Sequence, residues 1–238
     1  RRFELTQIWK FEALDSLFFR DSRPMNAGET VWIESQFPPT GRTLQGAVRT
    51  AVLNYLGIPF RDYLDEKLPV RELLRKEIGD GDSMGQLSLT GPILFKENAP
   101  LFPVPLDLMK RHAEGKDEYC LLEPADLPIS SDLGNIRFPA MPAGKTGYKP
   151  LSGCYVALNG MQKLLKREAD SGLSNCIFSL ISQNPGKKSL AYQELKMGLA
   201  RNNRSRMAEE GMLYAIAPLR PMDKLKIGLK VEGLSSGP

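Results

Sequence analysis

Alternation of apolar and polar residues near the start of the chain predicts a half-buried β-strand. Trp9, Phe11 and Ala13 alternate with charged residues, and a period of two places the two kinds on opposite faces of a strand. Residues 11–25, FEALDSLFFRDSRPM, then lead from this strand into a corner of the pattern Arg-Asp-x-Arg-Pro. We expect a strand with one core face, followed by a basic corner.

A helical period replaces this alternation in residues 37–53, FPPTGRTLQGAVRTAVL. The apolar positions that share one face of the predicted helix are Leu44, Val48, Ala51, Val52 and Tyr55. Gly57 follows them as a stop signal. The side away from the core carries Arg42, Gln45 and Arg49, with Gly46 beside them. The sequence therefore predicts an amphipathic helix with a basic polar side.

Gly46 has two interpretations. Glycine inside a helix costs about 1 kcal/mol relative to alanine, which indicates that another backbone or a ligand approaches closely. A helix N-terminus also offers unpaired N–H groups and a partial positive charge, so Thr43, Gln45 and Arg49 are candidates to hold a nucleic-acid backbone. In the other interpretation, Gly46 only lets the helix pack tightly on a sheet.

Further patterns predict a chain of the α+β class. Helical spacing occurs over residues 70–78 and 161–167. Strands are expected over residues 87–95, 101–106, 212–217 and 224–231. In the last strand, apolar residues point to one face and lysines to the other, which favours a solubilising outer face over RNA contact. The proline-rich residues 123–150 show little periodicity and are predicted to be a long loop at a domain boundary.

Composition narrows the class of protein. The 238 residues, 42% hydrophobic and 25% charged, suffice for one large domain or two small ones. No long apolar run or apolar leader is visible, so we expect a cytoplasmic protein without membrane contact. The first residue is not Met and residues 233–238 have a loop composition, so both ends are expected to be cuts. Cys120, Cys154 and Cys176 are widely spaced, which disfavours disulfides and a thiolate zinc site.

Positive charge is concentrated late in the chain. The net charge is only +4, but residues 187–206 contain six basic residues against one acidic residue, Glu194. The basic residues are Lys187, Lys188, Lys196, Arg201, Arg204 and Arg206. Such a cluster is typical of a polyanion site or of a solvated loop.

Sequence motifs for catalysis are weak. Residues 139–146 resemble the end of a P-loop, but Pro139 replaces the first glycine, which leaves Lys145 as a phosphate contact from a flexible loop. The Gly-Asp-Gly-Asp run that starts at Gly79 is interpreted as a turn. His112 is the only histidine, so a histidine pair for RNA cleavage is ruled out. We expect no enzymatic activity, metal or cofactor.

Five segments, taken in order, carry a family resemblance. They are residues 11–25, 37–53, 101–109 (LFPVPLDLM), 151–160 (LSGCYVALNG) and 196–214 (KMGLARNNRSRMAEEGMLY). Together they resemble the third Cmr subunit, a RAMP protein of type III-B CRISPR effector complexes. The resemblance implies a non-catalytic prokaryotic protein that grips the 5′ handle of the CRISPR RNA. It also implies contacts with the large polymerase-like subunit and with the backbone RAMP subunit.

The same resemblance implies two ferredoxin-like (RRM-like) βαββαβ modules with long insertions. Residues 1–130 would form the first module, and residues 131–238 an insertion and a partial second module. The family's glycine-rich C-terminal region is missing from this chain, and no RNP-type aromatic motif marks a stacking face. The second module is therefore expected to be incomplete.

Two groups of residues are predicted to bind RNA. The first group consists of Arg20, Arg23, Arg42, Thr43, Gln45, Gly46 and Arg49. The second group consists of Lys145, Arg201, Arg204 and Arg206. Arg20 and Arg23 are equally suited to pair with Asp21 or Asp15. Two other functions stay open: a CRISPR-RNA-processing endoribonuclease, and a pure protein-interaction subunit whose basic segment faces an acidic neighbour.

Overall fold

The computed structural model describes residues 6–20, 32–64, 71–126, 132, 136–184, 188–222 and 224–234. Helices within these ranges are α1 Gly41–Tyr55, α2 Phe60–Leu64, α3 Arg71–Ile78 and α4 Leu158–Leu165, with a 3₁₀ turn at Ser171–Asn175. The first strands are β1 Gln7–Glu12, β2 Trp32–Glu34, β3 Ser88–Lys96, β4 Ala99–Pro103, β5 Leu108–Ala113, β6 Lys116–Leu121, β7 Glu123–Asp126 and β8 Arg137–Ala140. The later strands are β9 Lys149–Pro150, β10 Cys154–Ala157, β11 Ile177–Ser182, β12 Ser189–Gln193, β13 Lys196–Arg201, β14 Ala208–Ala217, β15 Leu219–Pro221 and β16 Leu225–Glu232. The chain thus contains both helices and strands, as expected, and strands predominate.

The chain divides into two compact units. The first unit comprises residues 1–97 and 194–238, and the second comprises residues 98–193. The boundary expected at residues 130–131 falls inside the second unit. Residues 194–238 belong to the same unit as the N-terminal residues, so the first unit is discontinuous in sequence.

The first unit contains a sheet built around β16. This strand pairs antiparallel with β1 on one side and with β3 on the other. β1 and β3 therefore run parallel to each other, and the chain between them includes α1, which packs against β3. Two parallel strands separated by a third form the split βαβ arrangement.

The two faces of β16 follow the predicted alternation. Leu225, Ile227, Leu229 and Val231 are all buried. On the other face, Lys226 Nζ lies 3.2 Å from a Glu12 carboxylate oxygen and Lys230 Nζ lies 2.9 Å from that of Glu232. Lys224, just before the strand, pairs with Glu97 at 2.9 Å. These lysines are neutralised locally, which agrees with a solubilising face.

Helix α1 ends at the predicted glycine, and it begins at a cap that the sequence analysis did not assign. The Thr40 side chain accepts a hydrogen bond from the Thr43 N–H at 3.3 Å, which caps the helix. At the other end, Gly57 has a φ of 69°, a conformation that glycine adopts easily. The apolar face is buried at Leu44, Val48, Val52 and Leu53. Tyr55, expected on this face, is 62% exposed because it is the last residue of the helix.

The first unit also contains a second, three-stranded sheet. β14 is its central strand, pairing antiparallel with β13 and parallel with β2. β13 and β14 are consecutive and form a hairpin whose connection spans residues 202–207. The tip of this hairpin contains part of the basic segment.

The second unit has its own core. β10 pairs antiparallel with β4 and with β11, and β11 pairs parallel with β12. Helix α4 packs against β4 and β10, while the 3₁₀ turn packs against β6. The core residues are Val104, Leu108, Tyr119, Leu121, Val156, Leu164, Leu173, Cys176 and Ile177.

The prediction of a long loop over residues 123–150 is wrong in part. β7 and β8 pair antiparallel with Pro124 opposite Pro139, and β9 pairs with β5. Proline cannot donate to a ladder, but each strand of a two-stranded ribbon has one unpaired edge, so proline is tolerated there. The proline content therefore led to the prediction of a loop where two short strands pair.

Within the described part of the chain, no helix has the length and apolar character needed to cross a membrane. The described residues also contain no group of three or more His, Cys, Asp or Glu side chains arranged to bind a metal ion.

Candidate nucleic-acid interface

A cleft of about 570 Å³ lies between the polar side of α1 and the turn at residues 80–84. The helix contributes Gly41, Arg42, Gln45, Gly46 and Arg49 to its lining. The opposite wall consists of Asp80, Gly81, Asp82, Ser83, Met84 and Leu89. The polar stripe predicted on α1 therefore lines a concave surface within the first unit.

Gly46 faces open space. A Cβ atom placed on Gly46 would meet no heavy atom of the described residues within 4 Å. The interpretation that Gly46 permits tight helix–sheet packing is therefore wrong. Because glycine weakens the helix without a packing gain, its presence agrees with a ligand that approaches the helix backbone.

We expect the Gly46→Ala variant to be more stable than the wild type by about 1 kcal/mol, because alanine favours the helix and its methyl group meets no neighbour. Urea denaturation of both proteins measures this difference. Gly160→Ala in α4 is the matched control, since its Cβ would lie 2.6 Å from Val156 Cγ2 and 2.7 Å from Cys176 Cβ. The control should be destabilised. A loss of stability in Gly46→Ala would contradict the open environment of Gly46.

Arg49 braces the wall of the cleft. Its Nε donates to the Ile78 carbonyl oxygen at 2.7 Å, and its Nη2 donates to the Ser83 carbonyl oxygen at 2.5 Å. The first acceptor is on the last residue of α3, and the second lies within the turn at residues 80–84. These bonds give Arg49 a positioning role that sequence reasoning did not foresee.

The Asp80 side chain stabilises the turn at residues 80–84 through hydrogen bonds to its backbone. Its Oδ1 accepts hydrogen bonds from the backbone N–H groups of Asp82 at 3.0 Å and Ser83 at 2.9 Å, and its Oδ2 pairs with Arg75. The bond from Asp82 N–H is the largest cause that lowers the pKa of Asp80 below its ordinary value of 3.8. Sequence analysis identified this run as a turn but missed that it forms one wall of the cleft. The signal was the Gly-Asp-Gly-Asp run itself, with Gly79 and Gly85 both at positive φ.

The turn should weaken in acid. A carboxyl group with a lowered folded-state pKa stabilises the fold above its unfolded pKa, and this contribution is lost as pH falls through the folded value. Asp80→Asn keeps the Oδ1 acceptor but loses the charge. We therefore expect the wild type to exceed Asp80→Asn in urea midpoint at pH 6, with the gap shrinking below pH 3.8, the ordinary value of this carboxyl. A gap that does not change with pH would contradict the assignment.

Gln45 is buried rather than solvent-facing, contrary to the prediction for the polar stripe. Its side chain is 9% exposed, and its Nε2 has no hydrogen-bond acceptor within the described residues. A buried donor without a partner costs about 1–3 kcal/mol. Gln45 borders the cleft, while its Nε2 is an enclosed donor without a partner among the described residues.

Arg42 and Asp82 are the accessible charges of the cleft. Both residues are exposed, and neither side chain has an ion-pair partner in the part of the chain that the structure describes. Thr43 belongs to the helix cap, where its N–H and its hydroxyl both contact Thr40. Thr43 is not one of the described residues that line the cleft.

The predicted Arg-Asp-x-Arg corner is only partly described. Arg20 is exposed, whereas Asp21 and Arg23 lie outside the described residues. The Asp15 carboxylate, predicted as one possible partner of Arg20 and Arg23, forms an ion pair with Arg220 at 2.7 Å.

Three arginines at the tip of the β13–β14 hairpin are accessible. Arg201, Arg204 and Arg206 are exposed and have no ion-pair partner within the described ranges. Asn202 Oδ1 accepts hydrogen bonds from the N–H groups of Arg204 at 2.9 Å and Ser205 at 3.1 Å, which fixes the turn. The tip therefore presents three cations from a defined backbone.

The three lysines of the basic segment either donate hydrogen bonds within the chain or lie outside the described residues. Lys187 is outside the described residues. Lys188 donates to the Ser174 carbonyl oxygen, and Lys196 donates to Ser16 Oγ at 3.1 Å. The accessible charge of this segment is thus concentrated in the three arginines.

The strands behind this tip expose apolar side chains. Leu199 lies opposite Leu213, while Met197 and Trp32 occupy the same row on either side of Ala215. The exposed fractions are 65% for Met197 and 45% for Trp32. Trp32 and Met197 lie in register with Ala215, seven residues along β14 from Ala208 at the tip, so of these four side chains only Leu199 and Leu213 adjoin the three arginines.

Lys145 belongs to the second unit, whereas the three arginines belong to the first. Its Nζ lies 5.9 Å from the centre of the Tyr148 ring. Tyr148 donates to Glu118 Oε2 at 2.8 Å, and this bond is the largest cause that raises the pKa of Tyr148. The predicted second group is therefore divided between two units.

Comparisons with known proteins identify a family. The model of the family described as CRISPR-associated protein (Cas_Cmr3) matches residues 9–237. A search of curated proteins returned no match. Two solved structures of the Type III-B Cmr-beta complex bound to cognate target RNA contain similar chains.

The first of these structures, which also contains AMPPnP, has a chain with a TM-score of 0.43 and 15% identity. The match covers 94% of this chain and 52% of the solved chain. The second has a TM-score of 0.45 and 11% identity, and covers 94% and 54%. The chain thus spans about half the length of these solved chains.

Proposed function

The chain belongs to the CRISPR-associated Cas_Cmr3 family, and from this premise we propose that it is a non-catalytic RNA-binding subunit of a type III-B CRISPR effector complex. In this role it grips the 5′ handle of the CRISPR RNA. A fixed handle is held by cations, backbone amides and a few base contacts, and such a grip needs no reactive group.

The observation that supports RNA binding most directly is the set of accessible arginines at the hairpin tip. Arg201, Arg204 and Arg206 are exposed and lack ion-pair partners within the described residues. Arginine binds phosphate through a planar, forked set of donors. The exposed Trp32 and Met197, farther along the same sheet, offer apolar surface for unstacked bases of a strand that extends from the tip.

The proposed architecture is that of a RAMP protein. The split βαβ arrangement of β1, α1 and β3 around β16 supports a ferredoxin-like first module. We propose that residues outside this sheet form a second, incomplete ferredoxin-like module. In the complex, the subunit bridges the large polymerase-like subunit to the backbone RAMP subunit in the prokaryotic cytoplasm.

Filter binding with labelled CRISPR RNA, with and without its 5′ handle, tests this function. We expect tighter binding of the RNA that carries the handle, and intact RNA on a denaturing gel after incubation. Equal binding of both RNAs would contradict handle recognition. Specific scission would instead identify an endoribonuclease, and absence of RNA binding would favour a pure protein-interaction subunit.

A further inference from the structure

We propose that the aromatic ring of Tyr214 is a stacking platform for one unpaired base of the bound RNA. This inference rests on the RNA-binding function proposed above and adds a contact residue to it. Tyr214 belongs to β14 and lies opposite Gly198 of β13, in the hairpin whose tip carries the three accessible arginines. The ligand is a nucleobase of any kind, held through its π-face.

The first argument is the position of the Tyr214 ring. A Cβ atom placed on Gly198 would lie 2.2 Å from Cζ, 2.4 Å from the hydroxyl oxygen and 2.7 Å from Cε1 of Tyr214. Contacts this short mean that the far end of the ring occupies the place where a side chain of residue 198 would stand. The ring therefore lies across β13 at Gly198, and the strand supports it from one side.

The second argument is the accessibility of the rest of the ring. Tyr214 is 40% exposed although its ring contacts Gly198. The strand covers one side of the ring, so the exposed area belongs to the opposite side and to the edges. Stacking on an aromatic side chain is open to every base, because every base has a π-face. The supported ring of Tyr214 offers such a surface.

The third argument is the charge beside the ring. Residues 201–208 contain three arginines and no acidic residue. Arg201 is three residues from Gly198 on β13, which corresponds to about 10 Å along a strand. A base on the ring thus brings the neighbouring phosphates of its strand towards the arginines. Bases that stack beside phosphates that bind cations are the combination that single-stranded RNA supplies.

The backbone of the hairpin holds these groups in place before RNA arrives. The Asn202 N–H donates to the Met207 carbonyl oxygen at 2.9 Å, and the Arg206 N–H donates to the Asn202 carbonyl oxygen at 2.8 Å. The pairing of β13 with β14 is regular from Lys196 to Leu199, so Gly198 stays opposite Tyr214. This order lowers the cost of binding.

Tyr214 is separate from the apolar surface that contains Trp32 and Met197. Successive residues of a strand point to opposite faces, so Tyr214 and Leu213 lie on different faces of the sheet. Leu213 shares its face with Trp32 and Met197, because both of these pair with Ala215, two residues further along β14. Leu213 is 49% exposed and therefore provides a matched control for Tyr214.

A mutant cycle between protein and RNA tests the proposal. A series of handle RNAs is prepared in which each nucleotide in turn lacks its base. Each RNA is titrated against the wild type, Tyr214→Leu and Leu213→Ala. At one RNA position, we expect base removal to weaken binding to the wild type and to Leu213→Ala about tenfold, and to have little effect on binding to Tyr214→Leu.

A second pair of variants tests the position of the ring. In Gly198→Ala the new methyl group would overlap Tyr214 Cζ, so the ring must swing away from β13. The effect of base removal at the same RNA position should then fall to about twofold, although the tyrosine is still present. Tyr214→Trp keeps an aromatic ring and should preserve the effect. A purely structural role of Tyr214 would leave the effect of base removal unchanged in Gly198→Ala.

The possible outcomes are distinct. Additive effects of base removal and Tyr214→Leu at every RNA position would overturn the stacking site while leaving the RNA-binding function intact. Failure of the wild type to bind any handle RNA would overturn both. Unchanged RNA binding by Tyr214→Leu together with weaker association with another subunit would overturn the site in favour of a protein interface. Urea denaturation verifies that each variant is folded, and Gly198→Ala decides the question if Tyr214→Leu is not.

Discussion

Replacement of Arg201, Arg204 and Arg206 by glutamate is expected to weaken binding of handle-bearing RNA by more than tenfold and to flatten its dependence on salt. Each cation that neutralises a phosphate contributes about 0.7 to the slope of log K against log salt for single strands, so three lost contacts remove about 2 from that slope. The three side chains are exposed, and the fold should be unaffected. Filter-binding titrations between 50 and 200 mM salt, the range over which such binding changes most, measure both quantities.

Replacement of the same three residues by lysine is the matched control. Lysine keeps the charge but loses the forked donors, so the salt slope should be retained while the affinity falls modestly. A triple glutamate variant with the wild-type slope would show that the hairpin tip does not contact RNA. Equal urea midpoints for the three proteins would exclude unfolding as a cause.

The second large effect is expected for Arg49→Ala, which should reduce the free energy of unfolding by about 2 kcal/mol, because two carbonyl groups lose charged donors. One of these carbonyls belongs to Ile78, a residue with 0% exposure, so water cannot replace the lost donor at low cost. Urea denaturation of the variant and the wild type gives this difference.

Arg42→Ala is the control on the same face of α1. Arg42 is exposed and has no ion-pair partner in the described ranges, so its loss should leave stability unchanged and weaken RNA binding. Similar stabilities of Arg49→Ala and Arg42→Ala would contradict the bracing role of Arg49. Because Arg49 positions the cleft wall, charge reversal at Arg42 is a cleaner probe of RNA contact than charge reversal at Arg49.

Local signals determined α1 well enough for prediction. The apolar spacing from Leu44 to Val52 gave the buried face, and Gly57 gave the end of the helix. Strand β16 was also predicted from a local pattern, since the alternation of apolar and charged residues indicates which side chains face a core. These features depend on neighbours within a few residues, which sequence reasoning can evaluate.

The cleft depends on contacts that are distant in sequence. Arg49 bonds to carbonyl groups 29 and 34 residues away, and no local pattern indicates such partners. Gln45 occupies a polar position on the helix, yet it is buried in the folded chain. The sequence therefore indicated the helix face but not which of its residues are braces and which are accessible.

The domain organisation also depended on long-range pairing. β16, near the end of the chain, pairs with β1 and β3, and this pairing places residues 194–238 in the first unit. A boundary drawn from proline content alone has no access to such pairing. The ribbon of β7 and β8 shows the same limit, because prolines that usually indicate a loop are compatible with the edges of two paired strands.

Photo-crosslinking of CRISPR RNA in the reconstituted effector complex, followed by mass spectrometry of the crosslinked peptides, tests most directly whether this chain holds the RNA handle. We predict crosslinks from handle nucleotides to peptides that contain Arg201–Arg206 and to peptides from α1 and the turn at residues 80–84. Crosslinks from the handle that fall only on other subunits would contradict the proposed function.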